Sequence, residues 1–97
     1  MEKNLDIRVN PDKSRIETYV DGKLAKIDYS LSPGKIIYIH TEVPAELEGR
    51  GIAGQLAHFA LEYAREEKLQ VVPICRYVQS YLKRHPEYQD LVNLSSR

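Results

Sequence analysis

Thr41-Glu42-Val43-Pro44-Ala45-Glu46-Leu47-Glu48-Gly49-Arg50-Gly51-Ile52-Ala53-Gly54 joins a β-branched run to a helical stripe. Upstream, residues 35–43 hold Ile36, Ile37, Ile39, Thr41 and Val43 together with Tyr38, the composition of a central strand. Pro44 ends it, because proline has no N–H to give to a ladder. Downstream, Ile52, Leu56, Phe59, Ala60 and Tyr63 step at i, i+4, i+7, i+8 and i+11, which predicts an amphipathic helix running to about Lys68. Between them Gly49, Gly51 and Gly54 strip Cβ atoms from the turn that opens the helix. Bare N–H groups and the positive end of the helix dipole then face outward, an arrangement suited to a pyrophosphate. The spacing Gly49-x-Gly51-x-x-Gly54 fits the dinucleotide fingerprint. That fold, however, wants it after the first strand of a longer parallel sheet, and no Gly-Lys-Ser/Thr follows to make a P-loop. A glycine-rich helix start used for tight packing is the plain alternative.

Toward the N-terminus, Leu5, Ile7 and Val9 alternate with Asp6 and Arg8 as in a half-buried strand, stopped by Asn10-Pro11-Asp12. Residues 14–31 read as a hairpin around Asp21-Gly22, a pair that tolerates the positive φ angles of a type I′ turn. Placing Val20 opposite Lys23 sets Tyr19 against Leu24, Glu17 against Lys26 and Arg15 against Asp28. Ile16, Thr18, Val20, Ala25 and Ile27 then share the core face. Toward the C-terminus, residues 69–74 form a short apolar run joined through the helix, which predicts a strand parallel to the central one in a right-handed βαβ unit. Pro73 puts that strand at an edge or marks a bulge in it. A second helix is expected over residues 76–84, and Pro86 starts a last short turn with Glu87, Tyr88, Leu91 and Val92.

Ninety-seven residues describe one domain over residues 1–97, with a core of about 5–92 and a loose tail at 93–97. No apolar stretch reaches the roughly 20 residues a bilayer needs, and Met1-Glu2-Lys3-Asn4 opens without an apolar leader, so neither a membrane span nor secretion is expected. Fourteen Lys+Arg balance 14 Asp+Glu, which makes nucleic acid an unfavoured partner. One cysteine cannot form an internal disulfide, and its spacing from three histidines suggests no metal site, so a reducing cytoplasm is expected.

Thr41-Glu42-Val43-Pro44, Gly49-Arg50-Gly51-Ile52-Ala53, Leu56-Ala57, Ala60-Leu61-Glu62-Tyr63-Ala64 and Cys75-Arg76-Tyr77-Val78, in this order, resemble the GCN5-related N-acetyltransferases. Within them the chain is similar to the small stand-alone YjdJ-type or Gcn5-like subgroup. The resemblance implies a minimal α/β (α+β, mixed-sheet) fold: an antiparallel meander, then a βαβα unit with splayed central strands. It also implies acetyl-CoA as co-substrate, with pantetheine beside Thr41, Glu42 and Val43. Pyrophosphate would lie on the turn of Gly49, Arg50, Gly51, Ile52, Ala53 and Gly54. Two departures stand out. Glu48 occupies the position where the family usually has Gln or Arg, which shifts anion binding onto Arg50 or the backbone. The two helices that usually wall the acceptor site have no room between Val9 and Ser14, which leaves the acceptor side open and the amine acceptor unidentified.

Cys75 ends the strand that borders the splay, where a thiol activated by a helix starting at Arg76 would take the acetyl group covalently. An inert core thiol is the competing reading. On the family resemblance, Tyr77 or Tyr81 protonates the departing CoA thiolate, and packing accounts for either ring equally. His40, two residues before Glu42 and on its face, is a candidate base for the amine, or one half of a satisfied polar pair at the sheet rim. His58 is expected to face solvent, His85 to cap a helix, and Glu46 and Glu48 to lie on a solvated edge. The function expected is acetyl transfer from acetyl-CoA to an amine, by direct attack or through Cys75. A non-catalytic CoA-binding module, or an adaptor completed by a protein partner or a second copy, is the alternative.

Overall fold

The computed structural model describes residues 5–92. The expected tail at 93–97 lies outside the described residues. In chain order the elements are β1 (Arg8–Asn10), β2 (Arg15–Val20), β3 (Lys23–Ser32), β4 (Lys35–Glu42), α1 (Ile52–Glu66), β5 (Gln70–Pro73), α2 (Arg76–Arg84) and α3 (Gln89–Val92). Single 3-10 turns lie at Ala45–Leu47 and Pro86–Tyr88. One sheet runs β1-β2-β3-β4-β5, antiparallel through β4 and parallel between β4 and β5. The expected meander, βαβα unit and edge position of β5 are all present.

The hairpin turns at Asp21 (φ 53°) and Gly22 (φ 75°), and its register is the expected one, Arg15 against Asp28 through Val20 against Lys23. Its ion pairs differ from expectation. They run along each strand, Arg15 to Glu17 at 2.6 Å and Lys26 to Asp28 at 2.7 Å, because residues two apart on one strand also share a face. The first strand is shorter than expected, since Leu5 and Ile7 precede the ladder. There the Asp6 carbonyl accepts from the Thr18 hydroxyl at 3.0 Å instead of from a strand partner.

The core lies between one sheet face and α1. Ile16, Ala25 and Ile27 meet Leu56, Ala57 and Leu61, all buried. The buried stripe of α1 is rotated from the expected one: Ala57, Leu61 and Ala64 are inside, whereas Phe59 and Tyr63 are half-buried on its flanks. The alanines let the helix backbone approach the sheet, and the rings cover the seam. Tyr38 is fully buried and its hydroxyl donates to the Ala60 carbonyl at 2.7 Å, tying β4 to α1. Tyr38→Phe is expected to lower unfolding free energy by about 1 kcal/mol, read from urea titration, because the hydroxyl leaves a dry site without replacing its bond.

Two local features shape the site. In the β3–β4 ladder, Asp28 opposes His40 while Tyr29 opposes Tyr38, so Ile39 is an extra residue that bulges β4. At its other end α1 stops at Glu66, two residues earlier than expected. Lys68 takes φ 58°, and the Leu69 N–H reaches back to the Ala64 carbonyl at 2.8 Å while the Lys68 N–H meets Arg65. This is a Schellman closure with lysine in the left-handed position, and it delivers the chain directly to β5.

Candidate functional site

The parallel ladder pairs Lys35 with Gln70 and closes at Tyr38 with Pro73. One further link follows, from the Cys75 N–H to the Tyr38 carbonyl at 2.8 Å. The chain then turns into α2 at Arg76, while β4 continues to Glu42. The two central strands therefore part. On its β5 side, β4 has no strand partner from Ile39 to Glu42 among the described residues.

Inside this opening Cys75 is the N-cap of α2, 4% exposed, with its Sγ 3.0 Å from the Thr41 hydroxyl. The bulge at Ile39 makes that contact feasible. Tyr38 faces the core, and an unbroken alternation would turn Thr41, three residues on, to the other face. The extra residue restores Thr41 to the side of Ile27, its partner, and puts His40 and Glu42 on the outer face. There Glu42 lies 3.6 Å from Lys26, which also holds Asp28. His40 is exposed beside Asp28. His40 and Cys75 thus belong to the two sides of one gap.

At the mouth, the glycine turn takes the geometry its composition allows. Gly49 has φ 85° and Gly51, the N-cap of α1, has φ 80°, both in the left-handed region that favours glycine. A Cβ at Gly49 would meet nothing within 4 Å, so its surroundings are open. Leu47, buried at 1% exposure, anchors the 3-10 turn that leads into this segment. Glu46 and Glu48 are exposed, as expected. Arg50 reaches across to Asp21 at 3.0 Å, so its charge is partly engaged by the β2–β3 turn.

The turn stands at the junction of two cavities. The first, about 520 Å³, runs from His40, Thr41, Glu42 and Val43 past Gly49, Gly51, Ile52, Ala53 and Gly54 to Tyr77. The second, about 640 Å³, shares Gly51, Gly54 and Tyr77 and continues between α1 and α2 to Tyr81, Arg84 and His85. Tyr77 is thus common to both, with its hydroxyl 3.6 Å from where a Cβ on Gly54 would stand. Tyr81 lines the second cavity alone, buried and stacked on His85 at 4.0 Å, and burial pushes its hydroxyl above the usual tyrosine range. His85 is the C-cap of α2, as expected.

Sequence reasoning passed over two features. The Thr41–Cys75 contact depends on the splay and the bulge, neither of which leaves a mark in local composition. His58 is exposed as expected, yet its Nδ1 lies 3.1 Å from the Tyr88 hydroxyl, which also bonds Glu62. That network fastens the last turn to α1. Its trace in the sequence is the four-residue spacing of His58 and Glu62, with nothing local to tell Tyr88 from Tyr77 and Tyr81 as the partner.

A mixed sheet splayed between its parallel pair, with a glycine turn opening the helix beside the gap, defines an acetyltransferase-type fold. The chain belongs to the GCN5-related N-acetyltransferase family, whose pattern it matches over residues 15–91. Human Protein NATD1 is 37% identical over 99 residues, covering 97% of this chain and 88% of that protein. The chicken Protein NATD1 is 47% identical over 55 residues, which is 57% of this chain and 50% of the relative. The chain therefore spans about half the length of that relative in the match. In three dimensions the solution structure of a GCN5-like protein from Staphylococcus aureus aligns with a TM-score of 0.71 and 29% identity, covering 93% of this chain and 89% of that one.

Proposed function

We propose that the chain is an acetyl-CoA-dependent N-acetyltransferase acting on an amine. The observation that carries the reading is the cavity that runs from Thr41, where the central strands part, to the glycine turn, with the buried Cys75 thiol in contact with Thr41 at its wall. Pantetheine lies in the first cavity, paired with the free β4 edge at Thr41, Glu42 and Val43, and the pyrophosphate meets the amides of Gly49, Arg50, Gly51, Ile52, Ala53 and Gly54. Open space at Gly49 and the positive φ of Gly51 suit a close approach of phosphate to backbone.

Two routes use the same groups. In direct attack the amine nitrogen adds to the thioester carbonyl, the C–S bond breaks, and Tyr77 gives its proton to the CoA thiolate. His40, on the outer rim where an amine would enter, accepts the proton the nitrogen loses. In the covalent route the Cys75 sulfur takes the acetyl group first and CoA leaves as the thiol. The amine then attacks the new thioester and frees Cys75. Tyr77 is the better placed of the two tyrosines for the acid role, because Tyr81 is confined to the second cavity.

Incubation with acetyl-CoA and pools of peptides or polyamines tests the reading. The expected result is CoA thiol released in proportion to acceptor. Tight CoA binding with no acceptor-dependent release would reject the transferase reading in favour of a binding module.

A further inference from the structure

On the outer face of the sheet four ionisable side chains stand at the corners of a square. Alternation puts Lys26 and Asp28 on β3 and His40 and Glu42 on β4, and the ladder sets Lys26 opposite Glu42 and Asp28 opposite His40. Two corners are carboxylates, and each is next to both the lysine and the histidine. They go to the lysine. Lys26 Nζ stands 2.7 Å from Asp28 and 3.6 Å from Glu42, with its side chain 19% exposed. His40 is exposed and joins no hydrogen bond or ion pair among the described residues.

Other charged groups nearby are occupied elsewhere. On β2, Arg15 lies beyond Asp28 and is committed to Glu17 at 2.6 Å, which also accepts from the Asn10 amide. In the first cavity His40 shares the lining with Glu48 from the turn, which is exposed to water, and with Tyr77 from α2. The charges that bear most directly on His40 are therefore Asp28, Glu42 and, through them, Lys26. With the lysine present the three sum to one negative charge. Without it both carboxylates are released toward the imidazole. Opposite charge beside a ring nitrogen favours its protonated form, which has no lone pair left to accept a proton.

We propose that Lys26 is a positioning residue for the transfer: by drawing Asp28 and Glu42 onto its ammonium it withholds them from His40, leaving a ring nitrogen free to take the proton that the attacking amine loses. Lys26 does not line the first cavity and acts only through the charges beside His40. The proposal rests on the reading above in which His40 is the base, and adds the residue that sets the acid limit of its work.

Proton NMR titration of the histidine rings, together with the pH profile of transfer, tests it. Lys26→Met keeps the straight stem and removes the charge, and is expected to raise the midpoint of the His40 ring by about one pH unit relative to wild type. Lys26→Arg is expected to restore the wild-type midpoint. The His40 signal is the one missing from His40→Gln. His58 and His85, which meet Tyr88 and Glu87 instead, should stay unmoved and so control for a general change of fold. In step with the ring, transfer by Lys26→Met should fall about tenfold on the acid side of the profile and rejoin the wild-type rate on the alkaline side. A His40 midpoint unchanged in Lys26→Met, or displaced equally in Lys26→Arg, would overturn the proposal. So would a midpoint that moves while the transfer profile stays in place, since His40 would then not be the base. A wild type that releases no CoA thiol in response to acceptor would instead overturn the transferase reading, and the ring titration would still decide what Lys26 does to His40.

Discussion

Cys75→Ser is expected to lower acetyl transfer by roughly three orders of magnitude while CoA affinity and the thermal transition stay close to wild type, if the acetyl group passes through Cys75. The Sγ is buried against Thr41, which lines the first cavity, so a serine hydroxyl would occupy the same place with far weaker nucleophilicity. Brief exposure of the wild type to acetyl-CoA should leave it heavier by one acetyl group, and peptide mapping should put that group on Cys75. Cys75→Ala serves as the control for acetylated lysines. A different pattern follows if the thiol is only packed. Cys75→Ala would then cost about 1 kcal/mol of stability through lost burial and keep turnover. A transferase-active Cys75→Ala rejects the covalent route and leaves direct attack with Tyr77 as the acid.

The second large effect concerns Gly51. With φ 80° at the start of α1, it lines both cavities, so on the proposed function a side chain there would stand where the pyrophosphate meets the amides. Two penalties have to be separated. A β-branched residue is strained in this region, and Gly51→Val would weaken the helix start as well as the site. Asparagine accepts left-handed backbone more readily, so Gly51→Asn carries the obstruction with less of the strain. We expect Gly51→Asn to keep its far-UV spectrum and to bind CoA on the order of 100-fold more weakly, the loss of about two charged hydrogen bonds. Unchanged affinity by calorimetry would show that the turn does not hold the anion.

Much of this architecture was legible because local chemistry and tertiary demand agree. Asp21-Gly22 names its turn, and alternation then dictates the hairpin register residue by residue. Pro44 stops a strand and Pro73 keeps one at the edge of the sheet for the same reason in any context, since proline gives no N–H to a ladder. The glycine turn was equally legible, since Gly49 and Gly51 are needed where φ is positive. What escaped were features that depend on counts and distances between remote segments. An extra residue in β4 cannot be read from residues 35–43, because Ile39 suits a regular strand as well as a bulge. The ion pairs along β2 and β3 were a choice between two equally near neighbours. The rotation of the α1 stripe followed from how closely alanine lets a helix sit on a sheet, whereas periodicity weights Phe59 and Tyr63 by hydrophobicity. The second cavity needed the packing of α1 against α2, to which Tyr77 and Arg84 contribute from positions that look like an ordinary helix surface.

The bulge in β4 absorbs one residue without passing the shift on to the site. The Ile39 side chain is 45% exposed, so many residue types could stand there at little energetic cost. Deleting it would leave Thr41 two residues after Tyr38, so plain alternation keeps Thr41 on the inner face and His40 and Glu42 on the outer one, with Asp28 still opposite His40 and Tyr29 opposite Tyr38. A substitution and a deletion at this position would therefore both leave the faces in place, whereas the same residues in a strand without a bulge would exchange them from His40 onward. What the bulge contributes to the site is parity: it keeps an odd residue from reversing everything after it.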